Sequence, residues 1–244
     1  MINQTKFVSI FVFIILWQAL SLAINSSVFP TVVDIVANLF DHLINGELIH
    51  HLLITLYRVF IAFIISIFLG VIFGILMGLY KRVDDMFDFL LIIGLNTPAL
   101  VTIIICYIWF GLSDFSALLA VVINKVPIIV INVREGTKAI NPKYTNLAKV
   151  YKLSKYDTVK NIYLPQIYPF IMASARLSLS LIWKIVLVVE LLGRSDGMGF
   201  QISMFFQLFD ITSILAYSLA FVLIILLIES VILKPIENKL GKWK

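Results

Sequence analysis

Long apolar runs fill most of this chain, and the polar breaks between them divide it into helices of membrane-spanning length. The first run, Phe7 to Ile24, follows Lys6. Its one small-residue stretch, Ser21-Leu22-Ala23, is a poor cleavage site, and further runs follow, so it reads as an anchoring helix and not as a signal peptide. Leu52 to Leu79 is interrupted only by Arg58, Phe89 to Phe110 is broken at Asn96-Thr97-Pro98, and Ala117 to Val133 is the fourth run. Pro169 to Leu192 and Ile211 to Leu233 complete about six spans on the criterion of about twenty residues each. Between Pro30 and Gly46 the pattern changes: Val32, Val33, Val36, Leu39, Phe40 and Leu43 alternate with Asp34, Asn38, Asp41 and His42 at helical spacing. This predicts an interfacial helix over about 31–45, lying along the outer surface. In the second run Gly70, Gly74 and Gly78 recur every fourth residue, a stripe that lets another helix approach backbone to backbone.

Composition agrees with the pattern. Of 244 residues 61% are hydrophobic and 14% charged, with a mean hydropathy of +1.04, more apolar surface than a water-soluble core can hide. The net charge of +5 sits in connectors. Lys81 and Arg82, then Arg134, Lys138, Lys143, Lys149, Lys152, Lys155 and Lys160, then Lys234, Lys239, Lys242 and Lys244 all fall on one side of a six-pass path. Both termini are therefore expected in the cytoplasm, and the charge reports orientation, with no nucleic-acid partner implied. The opposite-side connectors carry only Arg194 as a basic residue. Cys106 has no intrachain mate, so no disulfide or thiolate metal cluster is available. His42, His50 and His51 lack cysteines and grouped carboxylates nearby, and read as polar-face histidines with no metal role.

No residue set supports catalysis or a cofactor: a phosphate-binding Gly-rich loop and a His-Glu-x-x-His helix are both missing. Gly193-Arg194-Ser195-Asp196-Gly197 fits a hydrolase elbow by letter, but it follows a membrane helix, and no His comes after it. Energy must come from elsewhere. The basic amphipathic stretch Asn146 to Pro165 suggests how, since on the cytoplasmic side it would face a soluble partner. Asn141 can cap a helix opened by Pro142, with Leu147, Val150 and Tyr151 on one face, and Ser154 with Asp157 makes an approximate capping box for a second helix through Tyr163. Two short helices joined by a turn are expected. Leu147, Ala148, Val150 and Tyr151 would dock into a partner groove, with Lys149 and Lys152 at the rim; a helix paired to anionic lipid is the alternative.

This stretch resembles the cytoplasmic loop of the permease subunits of binding-protein-dependent ABC importers, Glu-Ala-Ala, three residues, Gly, nine residues, Ile-x-Leu-Pro. Ile162, Leu164, Pro165 and Ala148 match it; Asn146, Leu147 and Lys152 stand where the family has Glu, Ala and Gly. GELIHHLLITLYRVF, GVIFGILMGLYKRVDD, IWFGL and ARLSLSLIWKIVLVVELLGRSDGMGFQI are similar to the nitrate/sulfonate/taurine branch. The resemblance implies an all-α integral membrane protein with a type I importer permease-like fold, a single permease domain over residues 1–244 with core helices over about 52–234. Its coupling loop, about 134–165, would engage the ATPase through Asn146 to Lys152. It further implies a homodimer with two ABC ATPase subunits and a periplasmic or lipid-anchored solute-binding protein, in the bacterial inner membrane. Ser195, Asp196 and Gly197 are the positions that would meet the binding protein. The family's turn Gly adopts a left-handed conformation, which at Lys152 would cost on the order of 1 kcal/mol.

Ionisable residues inside the runs are the remaining signal, since each is costly in hydrocarbon. Lys125, Lys184, Arg176, Glu190, Arg58 and Glu229 qualify. Lys125 and Lys184, with Glu190 and Arg176, are candidates for the translocation path, and a basic lining favours an anion such as a sulfonate, taurine or nitrate. A buried ion pair of Lys184 or Arg176 with Glu190 or Glu229 is the alternative. A thiamine-precursor-like solute stays open, as does an ion-gradient-driven transporter, although the short chain and lack of a detectable inverted repeat speak against the latter.

Overall fold

The computed structural model describes residues 4–233 and residue 235. Lys234, Lys239, Lys242 and Lys244, part of the orientation argument, lie outside the described residues. Among those described every regular element is helical. The chain divides into two compact units, one made of the residues up to Thr55 with those from Glu190 onward, the other of Leu56–Val189.

The first unit holds α1 (Gln4–Ile24), α2 (Val32–Ile44), the start of α3 (Leu48–Leu79), the last turn of α9 (Leu164–Gly193), α10 (Met198–Gln207) and α11 (Ile211–Ile228). The polar residues of α1 are not stray: Trp17 Nε1 donates to the Pro30 carbonyl, Ser21 Oγ to that of Phe29, and Gln18 Oε1 accepts from Val32 N. They pin the connector that leads into α2. That helix starts as predicted after Pro30, with a full capping box between Thr31 and Asp34. It packs on α11 through His42, whose Nε2 lies 3.2 Å from Ser213 Oγ and whose ring contacts Tyr217. A second stripe of α2, Val33, Val36, Phe40 and Leu43, is exposed and apolar. The connector after Gly193 contains α10, packed on α11.

The second unit holds the rest of α3, α4 (Lys81–Asn96), α5 (Ala99–Phe110), α6 (Asp114–Lys138), α7 (Pro142–Val150), the short α8 (Lys155–Thr158) and most of α9. The glycine stripe of α3 meets α6: a Cβ on Gly70 would stand 2.5 Å from Ile129 Cγ2, and one on Gly74 2.7 Å from Val133 Cβ. Ile129, Val133 and Ile167 are wholly buried beside this contact, under Val71 and Ile75. Close helix packing is therefore what the stripe provides. Arg134 and Lys138 act as more than orientation markers. Arg134 Nη1 reaches Asp84 at 3.1 Å and Asp88 at 2.5 Å, Lys138 Nζ reaches Asp84 at 2.6 Å, and together they tie α6 to α4. Arg58, 2% exposed, pairs with Asp114 at the start of α6 at 2.7 Å.

Among the described residues three helices are long and apolar enough to cross a membrane, Leu48–Leu79, Asp114–Lys138 and Ile211–Val231. A fourth is formed if α4 and α5, bent by 100° at Thr97-Pro98, count as one broken span. The apolar part of α1 is Val8–Ile24, and α9, 30 residues long, carries Arg176, Lys184 and Glu190.

Candidate functional site

The hairpin after α6 is built by the caps its sequence announces. Asn141 Oδ1 accepts from Lys143 N at 3.0 Å, with Pro142 in the first helical position, where no N–H is needed. Asn141 N–H donates to Gln166 Oε1, and Gln166 Nε2 returns to the Ile162 carbonyl, so one side chain clasps both arms. At the end of α7, Leu153 N bonds the Ala148 carbonyl at 3.0 Å, and Lys152 sits at φ +49, the bond pattern and left-handed residue of a Schellman motif. The left-handed turn expected of a glycine is made here with a lysine. Ser154 Oγ accepts from Asp157 N at 3.0 Å and opens the second arm.

Two expectations change here. The second helix does not end at Tyr163: α8 passes through a π-helical turn, Val159–Tyr163, directly into α9. Pro165 has no N–H for an ordinary helical bond, and the wider turn accommodates it without a break. Ala148 is buried, 5% exposed, and does not share the exposed edge of its neighbours. Leu147, Val150 and Tyr151 are 48%, 78% and 71% exposed, and Asn146 and Lys152 are exposed with them. The Lys149 side chain lies outside the described residues.

Of the intramembrane charges, Lys125 on α6 is buried, 9% exposed, and makes no hydrogen bond or ion pair among the described residues. Lys184 on α9 is exposed and has none among the described residues either. Arg176 is exposed. Glu190 differs from all three: it is 0% exposed and accepts from Thr55 Oγ1 at 2.8 Å and from Gly199 N at 3.0 Å.

Around Glu190 lies a buried polar cluster that sequence reasoning missed. Gly197 N donates to His51 Nδ1 at 3.0 Å, Met198 N to Thr55 Oγ1 at 2.8 Å, and the Gln201 side-chain amide lies 2.6 Å from His51 Nε2. Because His51 Nδ1 accepts a backbone N–H, its ring proton is on Nε2, where the Glu47 carboxylate, 3.3 Å away, accepts it. His51 is thus a buried acceptor, 4% exposed, and not a polar-face histidine. The legible signal was Thr55 four residues after His51, two polar groups on one face of an otherwise apolar helix. Of the three positions expected to meet a binding protein, Ser195 is exposed, Asp196 is half-buried with Arg194 3.9 Å away, and Gly197 is buried.

A helical membrane fold with a rigidly capped, apolar-edged hairpin and charges held within its helices defines a transport subunit, and comparison with known proteins gives its family. Residues 66–233 match the binding-protein-dependent transport system inner membrane component family, and the chain belongs to it. It is similar to a protein described as an aliphatic sulfonates transport permease in Bacillus subtilis, 29% identical over 96% of this chain and 85% of that protein. The corresponding Escherichia coli protein is 31% identical over 75% of this chain and 71% of its own length. A nitrate import permease of Synechococcus elongatus is 28% identical over 78% and 72%. The fold matches a solved amino acid ABC transporter chain with a TM-score of 0.63 at 20% identity, covering 79% of this chain and 93% of that one. The protein is therefore a multi-pass inner-membrane permease subunit of an ABC importer, a transport component and not an enzyme, which works with an ATPase and a solute-binding protein.

Proposed function

We propose that two copies of this chain form the translocation path of an importer for a small organic or inorganic anion, with α7 as the element that couples it to the ATPase. The observation that carries the coupling role is the edge of Leu147, Val150 and Tyr151, bared on a hairpin whose every turn is capped. Exposed apolar side chains on a rigid support are unfavourable in water without cover, and a groove on each of two ATPase subunits would supply it. In the six-pass arrangement, with both termini in the cytoplasm, that edge faces the compartment where ATP is hydrolysed. Relatives named for sulfonate and nitrate support an anionic solute. The Lys125 ammonium supports it too, because a buried cation with no partner among the described residues favours an anion beside it. Lys184 and Arg176 are further path candidates, whereas Glu190 is occupied by Thr55 and Gly199. Ser195 and Asp196 stand on the side that would receive the periplasmic or lipid-anchored binding protein.

The test is uptake into proteoliposomes containing permease, ATPase and binding protein. Replacing Leu147 and Tyr151 together by Asp is expected to abolish co-purification of the ATPase and ATP-dependent uptake. In the same assay Lys125→Met is expected to reduce anion uptake about tenfold while the ATPase stays bound. Wild-type behaviour of both variants would overturn the reading.

A further inference from the structure

The first turn of α10 is capped from outside itself. A helix start leaves amide N–H groups with no partner, and its N-cap here, Gly197, has no side chain to offer. Three consecutive N–H groups nevertheless find acceptors: Gly197 N goes to His51 Nδ1, Met198 N to Thr55 Oγ1 and Gly199 N to Glu190 Oε2. Thr55 Oγ1 also donates to that same Glu190 oxygen at 2.8 Å, so the carboxyl is the point on which two of the three contacts converge. Glu190 holds the near side of the loop as well, its main-chain carbonyl accepting Arg194 N at 3.2 Å. One residue therefore grips both ends of the 194–199 segment. The fit is close: Gly197 is at φ +99, and a Cβ there would collide with the Glu190 carboxyl. Between the two grips the chain turns Ser195 outward and leaves Asp196 half-buried.

We propose that Glu190, with Thr55, is a positioning residue for engagement of the solute-binding protein: it fixes the shape of the loop that presents Ser195 and Asp196. This rests on the reading that those two residues meet the binding protein. The clamp acts through acceptor oxygens, not through contact with solute, since Glu190 is sealed from any surface. Loosening it costs the loop its fixed shape, and docking must then order the loop first. Weaker docking with little change in the rate of the docked complex is the signature.

The experiment measures ATPase stimulation against binding-protein concentration in reconstituted permease–ATPase complexes. Glu190→Ala and Thr55→Val are each expected to raise the half-saturating concentration about tenfold, with the maximal rate changed less than about twofold. Glu190→Gln, whose amide oxygen can accept both bonds, is expected to restore half-saturation to within about threefold of wild type. Ser195→Trp, a direct obstruction of the loop surface, is the control for the contact itself and is expected to raise half-saturation. Should Glu190→Ala fail to assemble with the ATPase, Thr55→Val carries the test. Unchanged half-saturation in the clamp variants, with an increase in Ser195→Trp, overturns the inference and leaves the contact reading standing. Unchanged values in all of them overturn the contact reading and the inference with it. Equal damage by Gln and Ala at Glu190 overturns the acceptor role.

Discussion

Lys152 carries a side chain where the backbone prefers none. At φ +49 its Cβ crowds the carbonyl oxygen, and the position costs on the order of 1 kcal/mol against glycine. The bond from Leu153 N to the Ala148 carbonyl persists regardless, because caps at Asn141 and Ser154 fix the arms on either side. Lys152→Gly is expected to stabilise the hairpin by about 1 kcal/mol, read as roughly fivefold slower hydrogen exchange at the Leu153 amide. Faster exchange would mean that the turn rests on the lysine itself. At this scale local chemistry was legible: the Asn141 and Ser154 caps follow from neighbours a few residues away, and the left-handed turn from the family resemblance. Burial was not. Ala148, His51 and Glu190 look like surface or pathway residues in one dimension, and only partners far along the chain, such as Gly197 for His51, give them their roles.

Among elements, the contact of α3 with α6 depends on missing side chains. A Cβ on Gly74 would stand 2.9 Å from the Val130 carbonyl oxygen as well as against Val133, and neither the helix backbone nor a branched side chain can retreat. Gly74→Leu is expected to destabilise the protein by about 3 kcal/mol or more, seen as loss of the folded peak in size-exclusion chromatography after detergent extraction. A normal peak and normal uptake would show that α6 can move away. The stripe was readable from its spacing alone, as were the long helices, since an apolar run has few other ways to satisfy its backbone in a membrane. The short helix α10 was not readable. Its residues follow a glycine-rich turn, and its start is capped by His51, Thr55 and Glu190 in place of a local Ser, Thr, Asp or Asn.

For the molecule as a whole, orientation is the property on which the functional reading turns. Cys106, the one cysteine, is buried, so a Cys106→Ser background gives a clean start for labelling. In it, Ser154→Cys is expected to react with a membrane-impermeant maleimide only from the cytoplasmic side, and Ser195→Cys only from the outer side. The reverse result would put the hairpin out of reach of any ATPase. Legibility ends at this scale with the partners: the family assignment implies an ATPase and a solute-binding protein, and the exposed apolar faces of α2 and α7 do not by themselves say what covers them.

The bend of 100° between α4 and α5 restricts where that stretch can lie. Asn96 Nδ2 and Thr97 Oγ1 fold back onto the Ile92 and Ile93 carbonyls, so the outgoing end is largely self-satisfied. The incoming end is not, because Pro98 offers no side-chain cap to the first amides of α5. Hydrocarbon cannot solvate those amides, so the elbow belongs against water or polar protein groups, and lipid tails are kept from one flank of the permease at that depth.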